Sequence, residues 1–264
     1  MPILISVFSS RGAAVRPGMI AAAALSLTLI AALRSSGQAQ ELPAAKIVAQ
    51  ADEIRFPQRS FEVHVVVTSS FRDREPDVKE YDILSKGIDR TIVRTTAPAL
   101  DRGQVLLMRG KDLWAFLPNL SQPIRLSLSQ RLTGQVANGD LARANFTGDY
   151  VPGLIGSDTI KDQAYYVLEL NAVDRSVTYH RVIYWVNKSN YRPHKAEFYA
   201  VSGKLLKTSL YQNFRETAGR VRPMTLIMED ALADAGKSVL EYGNFQVRDL
   251  PDKYFNKDYL MKLQ

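Results

Sequence analysis

Phe61-Glu62-Val63-His64-Val65-Val66-Val67-Thr68 alternates apolar and polar side chains with a period of two, interrupted only at Val66. That period puts Phe61, Val63, Val65 and Val67 on one face of a strand, and Glu62, His64 and Thr68 on the other. The pattern continues outward from this stretch. Tyr81 and Ile83 resume it after the polar turn Arg72–Asp77, and Ile92-Val93 follow the break at Gly87-Ile88-Asp89. Gln104–Arg109 and Leu113–Leu117 flank Gly110-Lys111, a compact hairpin signal. Further strands are expected at Tyr165–Leu170, Thr178–Val186, Lys195–Val201, Lys204–Phe214, Arg222–Met228 and Ser238–Val247, with Gly203 and Gly219 at turns. Closely spaced strands joined by short turns describe an antiparallel meander.

Two stretches depart from that rhythm. Leu42–Ile54 carries Ala44, Ile47, Val48, Ala51 and Ile54 at helical spacing, with Asp52 and Glu53 off the stripe and Pro57 closing it. Gln122–Ser157 has five glycines and little alternation, with room for a short helix over Asp140–Asn145 capped by Asn138 or Asp140. An irregular stretch of that length inside a meander points to function, and with its glycines it is the candidate lid. The fold class is therefore mainly β with a few helices (α+β).

The N-terminus reads as an export signal. Arg11 and Arg16 precede Met19–Leu33, a 15-residue run without a charge, and Gly37-Gln38-Ala39 offers small residues for cleavage after Ala39. The run is shorter than the roughly 18–20 residues a spanning helix needs; Arg34, close behind it, leaves an uncleaved anchor as the alternative. Residues 1–39 are read as the signal peptide and 40–264 as one domain in the periplasm. The chain has no cysteine, so a lipobox, disulfides and thiolate chemistry are excluded. The net charge is +7, but residues 1–40 hold three arginines and no acid, leaving 31 basic against 27 acidic residues, or +4. Those bases, Lys207 among them, are scattered, which argues against nucleic acid as a partner.

Catalytic signals are missing as well. His64, His180 and His194 show no metal-ligand spacing, and His64 and His180 fall on the outward phase. Ser127, Ser129 and Ser157 sit in no nucleophile elbow, and Gly134–Gly139 lacks the lysine of a phosphate loop. Neither an enzyme, a metal site nor a cofactor is expected. Acid pairs such as Asp252 and Asp258 read as solvated charge.

The order and spacing of several segments carry a family resemblance. They are Arg125-Leu126-Ser127-Leu128-Ser129-Gln130-Arg131-Leu132, Gly134-Gln135-Val136-Ala137-Asn138-Gly139-Asp140 and Asn145-Phe146-x-x-Asp149-Tyr150, then Thr178-Tyr179-His180-Arg181-Val182-x-Tyr184-Trp185-Val186, Arg192-Pro193 and Pro251-Asp252-Lys253-Tyr254-Phe255. Over about residues 45–264 the chain resembles the outer membrane lipoprotein-sorting proteins, a LolA-like periplasmic family. The resemblance implies an unclosed antiparallel β-barrel with a helical lid over an apolar face. It also implies a lipid- or lipoprotein-binding carrier that shields acyl chains or another lipophilic cargo, with an inner-membrane exporter as a partner and transient membrane contact. A non-enzymatic adaptor or sensor, acting by protein–protein contact in an envelope export or stress-response system, is the alternative.

One phase of alternation gives the candidate cavity lining: Val65, Val67, Trp114, Phe116, Leu168, Ile183, Trp185 and Phe198, with Met224, Leu226 and Met228 as a further apolar row. The same positions suit any half-buried sheet, although flexible thioethers favour an adaptable cavity. Arg125, Arg131 and Arg143 have three roles open to them: solvated charge, ion pairs tying the loop to Asp140 and Asp149, or contacts to a cargo head group.

Overall fold

A computed structural model describes residues 43–231 and 236–261; the signal peptide and cleavage site expected from the sequence lie outside the described residues. The helix expected at the N-terminal end forms as α1, Ala44–Arg55, and the chain leaves it extended at Phe56, ahead of Pro57. Strands β1 (Phe61–Ser70), β2 (Asp77–Lys86), β3 (Arg90–Ala97), β4 (Val105–Arg109), β5 (Asp112–Phe116) and β6 (Ile124–Leu126) follow as an antiparallel meander. The Gly110-Lys111 hairpin falls where the sequence puts it, with Arg109 opposite Asp112.

After β6 the chain leaves the sheet. It makes the small pair β7 (Arg131–Thr133) and β8 (Val136–Ala137), then the one-turn-and-a-half helix α2 (Asn138–Ala142). The helix starts two residues before the expected Asp140; Asp140 accepts from the Ala137 N–H at 2.7 Å as the third residue of the helix. A second meander then runs through β9 (Tyr150–Ile160), β10 (Gln163–Ala172), β11 (Arg181–Asn187), β12 (Pro193–Tyr199), β13 (Leu205–Thr217), β14 (Arg220–Asp230) and β15 (Lys237–Tyr242). Strands β6 to β9 all begin in the stretch read as irregular, and β9 is the longest of those that alternation missed. Pro152, Gly153 and Gly156 weaken its sequence signal, and they are tolerated because β9 is an edge, with ladder bonds on one side only.

The two meanders join where β1 pairs with β15, Val67 opposite Leu240, and β16 (Gln246–Val247) extends the partner row of β1. The sheet runs in the order β6-β5-β4-β3-β2-β1-β15-β14-β13-β12-β11-β10-β9, and its end strands β6 and β9 do not meet. It is an unclosed half-barrel. Its inner face packs on α1 and on the strap between β6 and β9, through Ile47, Val48, Ala51, Leu128, Val136, Leu141 and Phe146. The outer face of β3–β5 is partly covered by the C-terminal segment, a 3₁₀ turn at Asp252–Phe255 followed by α3 (Lys257–Met261).

Candidate functional site

The inner face gathers seven of the eleven candidate lining residues: Val65, Val67, Leu168, Phe198, Met224, Leu226 and Met228. Register explains why they converge. Val67 lies opposite Leu240, Leu240 opposite Leu226, and Leu226 opposite Tyr211, so one row of side chains crosses four strands on a single face.

The other four lie on the opposite face, which corrects the phase assigned to them. Trp114 and Phe116 pack outward with Leu107, Leu250 and Phe255, while Leu113 and Ala115 turn inward. Ile183 and Trp185 join Tyr165 outside, while Val182, Tyr184 and Val186 face in. Leu168 pairs with Tyr184, so Ile183, one residue away, must point to the other side. Trp185 ends in a hydrogen bond from its indole N–H to Asp158 at 3.0 Å.

The seven inner residues are packed, none more than 5 % exposed. Voids beneath the strap are small, about 30 Å³ beside Phe61, Val63 and Ile83, and about 20 Å³ beside Phe198, Leu226 and Met228. What fills the space is the strap itself. This is the stretch read as the candidate lid, and it is part of the core: Leu128, Val136, Ala137, Leu141, Ala142 and Phe146 are all buried. Two glycines serve close approach. Gly134 has φ +49° and lies against the hydroxyls of Ser69 and Ser238, and Gly139 lies against Thr178, so a Cβ at either would collide.

Buried ionic groups fasten this cover. Asp52, expected off the helix stripe, is enclosed: Oδ2 accepts from the Phe146 N–H at 3.0 Å, the Thr147 N–H at 2.7 Å and the Thr147 hydroxyl at 2.7 Å. Burial raises its carboxyl above the usual range, against the opposing pull of Arg55 and of these bonds. Arg55 lies 3.3 Å from Asp52 and stacks on Phe146 at 4.5 Å from the ring centroid. Lys207, expected among scattered surface bases, is buried on β13. Its Nζ donates to Asp140 Oδ2 at 2.6 Å and to the Gln135 carbonyl at 2.6 Å. Burial lowers its ammonium below the usual range although Asp140 opposes the change. The Tyr179 hydroxyl donates to the same carboxylate at 2.9 Å.

The three arginines of the lid separate into distinct roles. Arg143 forks onto Asp149, Nη2 to Oδ1 at 2.6 Å, and its Nη1 donates to the carbonyls of Ile88 and Gly110 at 3.1 and 2.8 Å. It is the ion pair tying the loop to Asp149. Arg125 is exposed and pairs with Asp112. Arg131 is exposed on β7. Among the histidines, His64 faces outward and pairs with Asp82 at 2.9 Å, and His180 is exposed. Asp252 is exposed, in keeping with solvated charge, and takes Lys86 at 2.7 Å and Arg90 at 2.8 Å; the Lys86 hydrogen bond holds its carboxyl below the usual range.

A family model described as an uncharacterized protein matches residues 87–262. No curated protein matches the chain's sequence. Solved structures do. A LolA superfamily protein from Nitrosomonas europaea is 59% identical over 83% of this chain and 99% of its own, with a TM-score of 0.80. A domain named for outer membrane lipoprotein sorting from Vibrio parahaemolyticus, 21% identical over 83% of this chain and 98% of its own, has a TM-score of 0.72. A DUF1329 family protein from Desulfovibrio piger, 19% identical over 82% and 97%, has a TM-score of 0.71. The last two share the fold, while the first is similar in sequence over nearly its whole length. The chain belongs to the LolA superfamily.

Proposed function

We propose that this protein is a periplasmic carrier, exported by residues 1–39, that shields acyl chains or another lipophilic cargo on the inner face of the domain formed by residues 40–264. One observation carries the reading. The apolar side chains Val65, Val67, Leu168, Phe198, Met224, Leu226 and Met228 are roofed by one helix and by a strap that holds only the small pair β7 and β8, and polar bonds fasten that roof. Such a cover can move as a unit and leave the sheet intact. Each cargo methylene taken from water is worth about 0.8 kcal/mol, so a chain of about a dozen carbons would offset the loss of several of these bonds. In this reading the structure is the closed form, Arg143 keeps its structural role, and Arg131 at the strap surface is the contact for a cargo head group. The donor would be an inner-membrane exporter, and binding, with no cofactor, would be the whole activity.

Mass spectrometry of protein isolated from the periplasm tests this directly. Lipid should co-purify, or a fluorescent fatty acid should bind and be lost on Leu226→Arg. Protein that carries no lipid and takes up no probe, even after Lys207→Met loosens the strap, removes the carrier. The filled interior favours a second reading, an adaptor that works by protein contact. Site-specific cross-linking to a membrane protein, with no lipid bound, would be its signature.

A further inference from the structure

A large, mainly apolar hollow lies on the outer face, opposite the surface assigned to cargo. The C-terminal segment crosses β3–β5, anchored by Leu250, Phe255 and Leu260 against Ile92, Leu107 and Phe116 and by a bond from Lys86 to the Leu250 carbonyl at 2.9 Å. It stops short of covering β2 and β4 fully. Beside it remains a cavity of about 680 Å³, floored by Leu84, Ile92, Val105, Tyr254 and Leu260. That volume falls within the roughly 300–1,000 Å³ of small-molecule sites, which combine apolar walls with a few polar groups.

The rim supplies those groups. Arg94, Arg102 and Arg248 line it with one acid, Glu62. Two of the arginines are already answered: Arg94 pairs with Asp82 at 2.8 Å and Arg248 with Glu62 at 2.5 Å. Arg102 donates to the Thr96 carbonyl at 3.1 Å and has no ion pair among the described residues. One guanidinium at the mouth of an apolar groove is thus left for an anion. A guanidinium binds a carboxylate or a phosphate monoester through two parallel bonds.

We infer that this outer groove is a second binding site, for a free single-chain anionic amphiphile whose chain lies on Leu84, Ile92 and Val105 and whose acid head is held by Arg102. The inference does not depend on the carrier reading, because the groove is open while the strap is closed.

A photoreactive diazirine palmitate, with hexadecanol as the uncharged comparison, tests it on the mature protein. Label should map to the stretches 84–105 and 254–260. Arg102 is exposed, so Arg102→Gln should fold normally, weaken palmitate about fivefold and leave hexadecanol unchanged. Val105→Trp should abolish binding of both. Label confined to 224–228 would overturn the groove and support the carrier. Label on neither surface would overturn both. A labelled groove with an unlabelled interior would support this site and sink the inner-face carrier alone. Palmitate binding that ignores both substitutions would also overturn it.

Discussion

Lys207 Nζ lies 2.6 Å from Asp140 Oδ2 in the interior, joining β13 of the sheet to α2 of the strap. Both side chains are below 10 % exposed, so neither charge has water to fall back on. Lys207→Met should cost about 3–5 kcal/mol, because Asp140 is left buried with only Tyr179 and a backbone N–H. Denaturant unfolding measures the loss, and hydrogen exchange should rise first in the strap, 127–147. Adding Asp140→Leu should recover much of the stability, since an apolar pair removes the stranded charge. If Lys207→Met alone is neutral, the pair does not fasten the strap.

Asp52 holds the far end of the same strap. Asp52→Ala removes the acceptor for two N–H groups and the Thr147 hydroxyl and leaves Arg55 buried among rings. A loss of about 3–5 kcal/mol is expected, with exchange at Phe146 and Thr147 quickened more than at Val67. Equal quickening at both places would mean global unfolding with no local release.

Gly134 and Gly203 separate conformation from space. Both have positive φ, +49° and +79°, but a Cβ at Gly134 meets Ser69 and Ser238 while one at Gly203 meets nothing within 4 Å. Gly203→Ala should therefore cost about 1 kcal/mol, the left-handed backbone penalty. Gly134→Ala should cost about 1–3 kcal/mol more, for the added crowding. Thermal or urea midpoints decide it; equal losses would show that the strap adjusts freely.

The sequence made the strands legible and left their faces ambiguous. Phe61, Val63, Val65 and Val67 alternate with polar neighbours, and only one phase can face the core. In Leu113-Trp114-Ala115-Phe116 every residue is apolar, and the aromatic pair looks like the core. The structure puts Leu113 and Ala115 inside because the C-terminal segment, distant in sequence, covers the outer face at Phe116. Val182–Val186 is ambiguous in the same way, with Tyr165 and Tyr199 sheltering Ile183 and Trp185. The buried ions were hidden for the opposite reason. Lys207 and Ser209 alternate in phase with Tyr211, but polar residues on the inner phase read as solvent-facing until register shows which row they join. Asp52 and Arg55, three apart on α1, carried a local hint as an ion pair but none of their burial.

Asp82 gives a pH dependence whose sign follows from its partners. Burial raises its carboxyl, but hydrogen bonds from His64 Nδ1 at 2.9 Å and Arg94 Nη2 at 2.8 Å outweigh it and hold it below the ordinary 3.8. A carboxyl depressed in the folded state stabilises above its unfolded value, and that contribution is lost as pH falls through the folded one. The wild type should therefore exceed Asp82→Asn in stability at neutral pH. The gap should begin to close below about pH 4 and go on narrowing as the pH falls through the lowered folded-state value. Urea midpoints for the two proteins across that range check it. A gap that stays constant, or widens in acid, would place the effect of the substitution in geometry and take the charge of Asp82 out of the account.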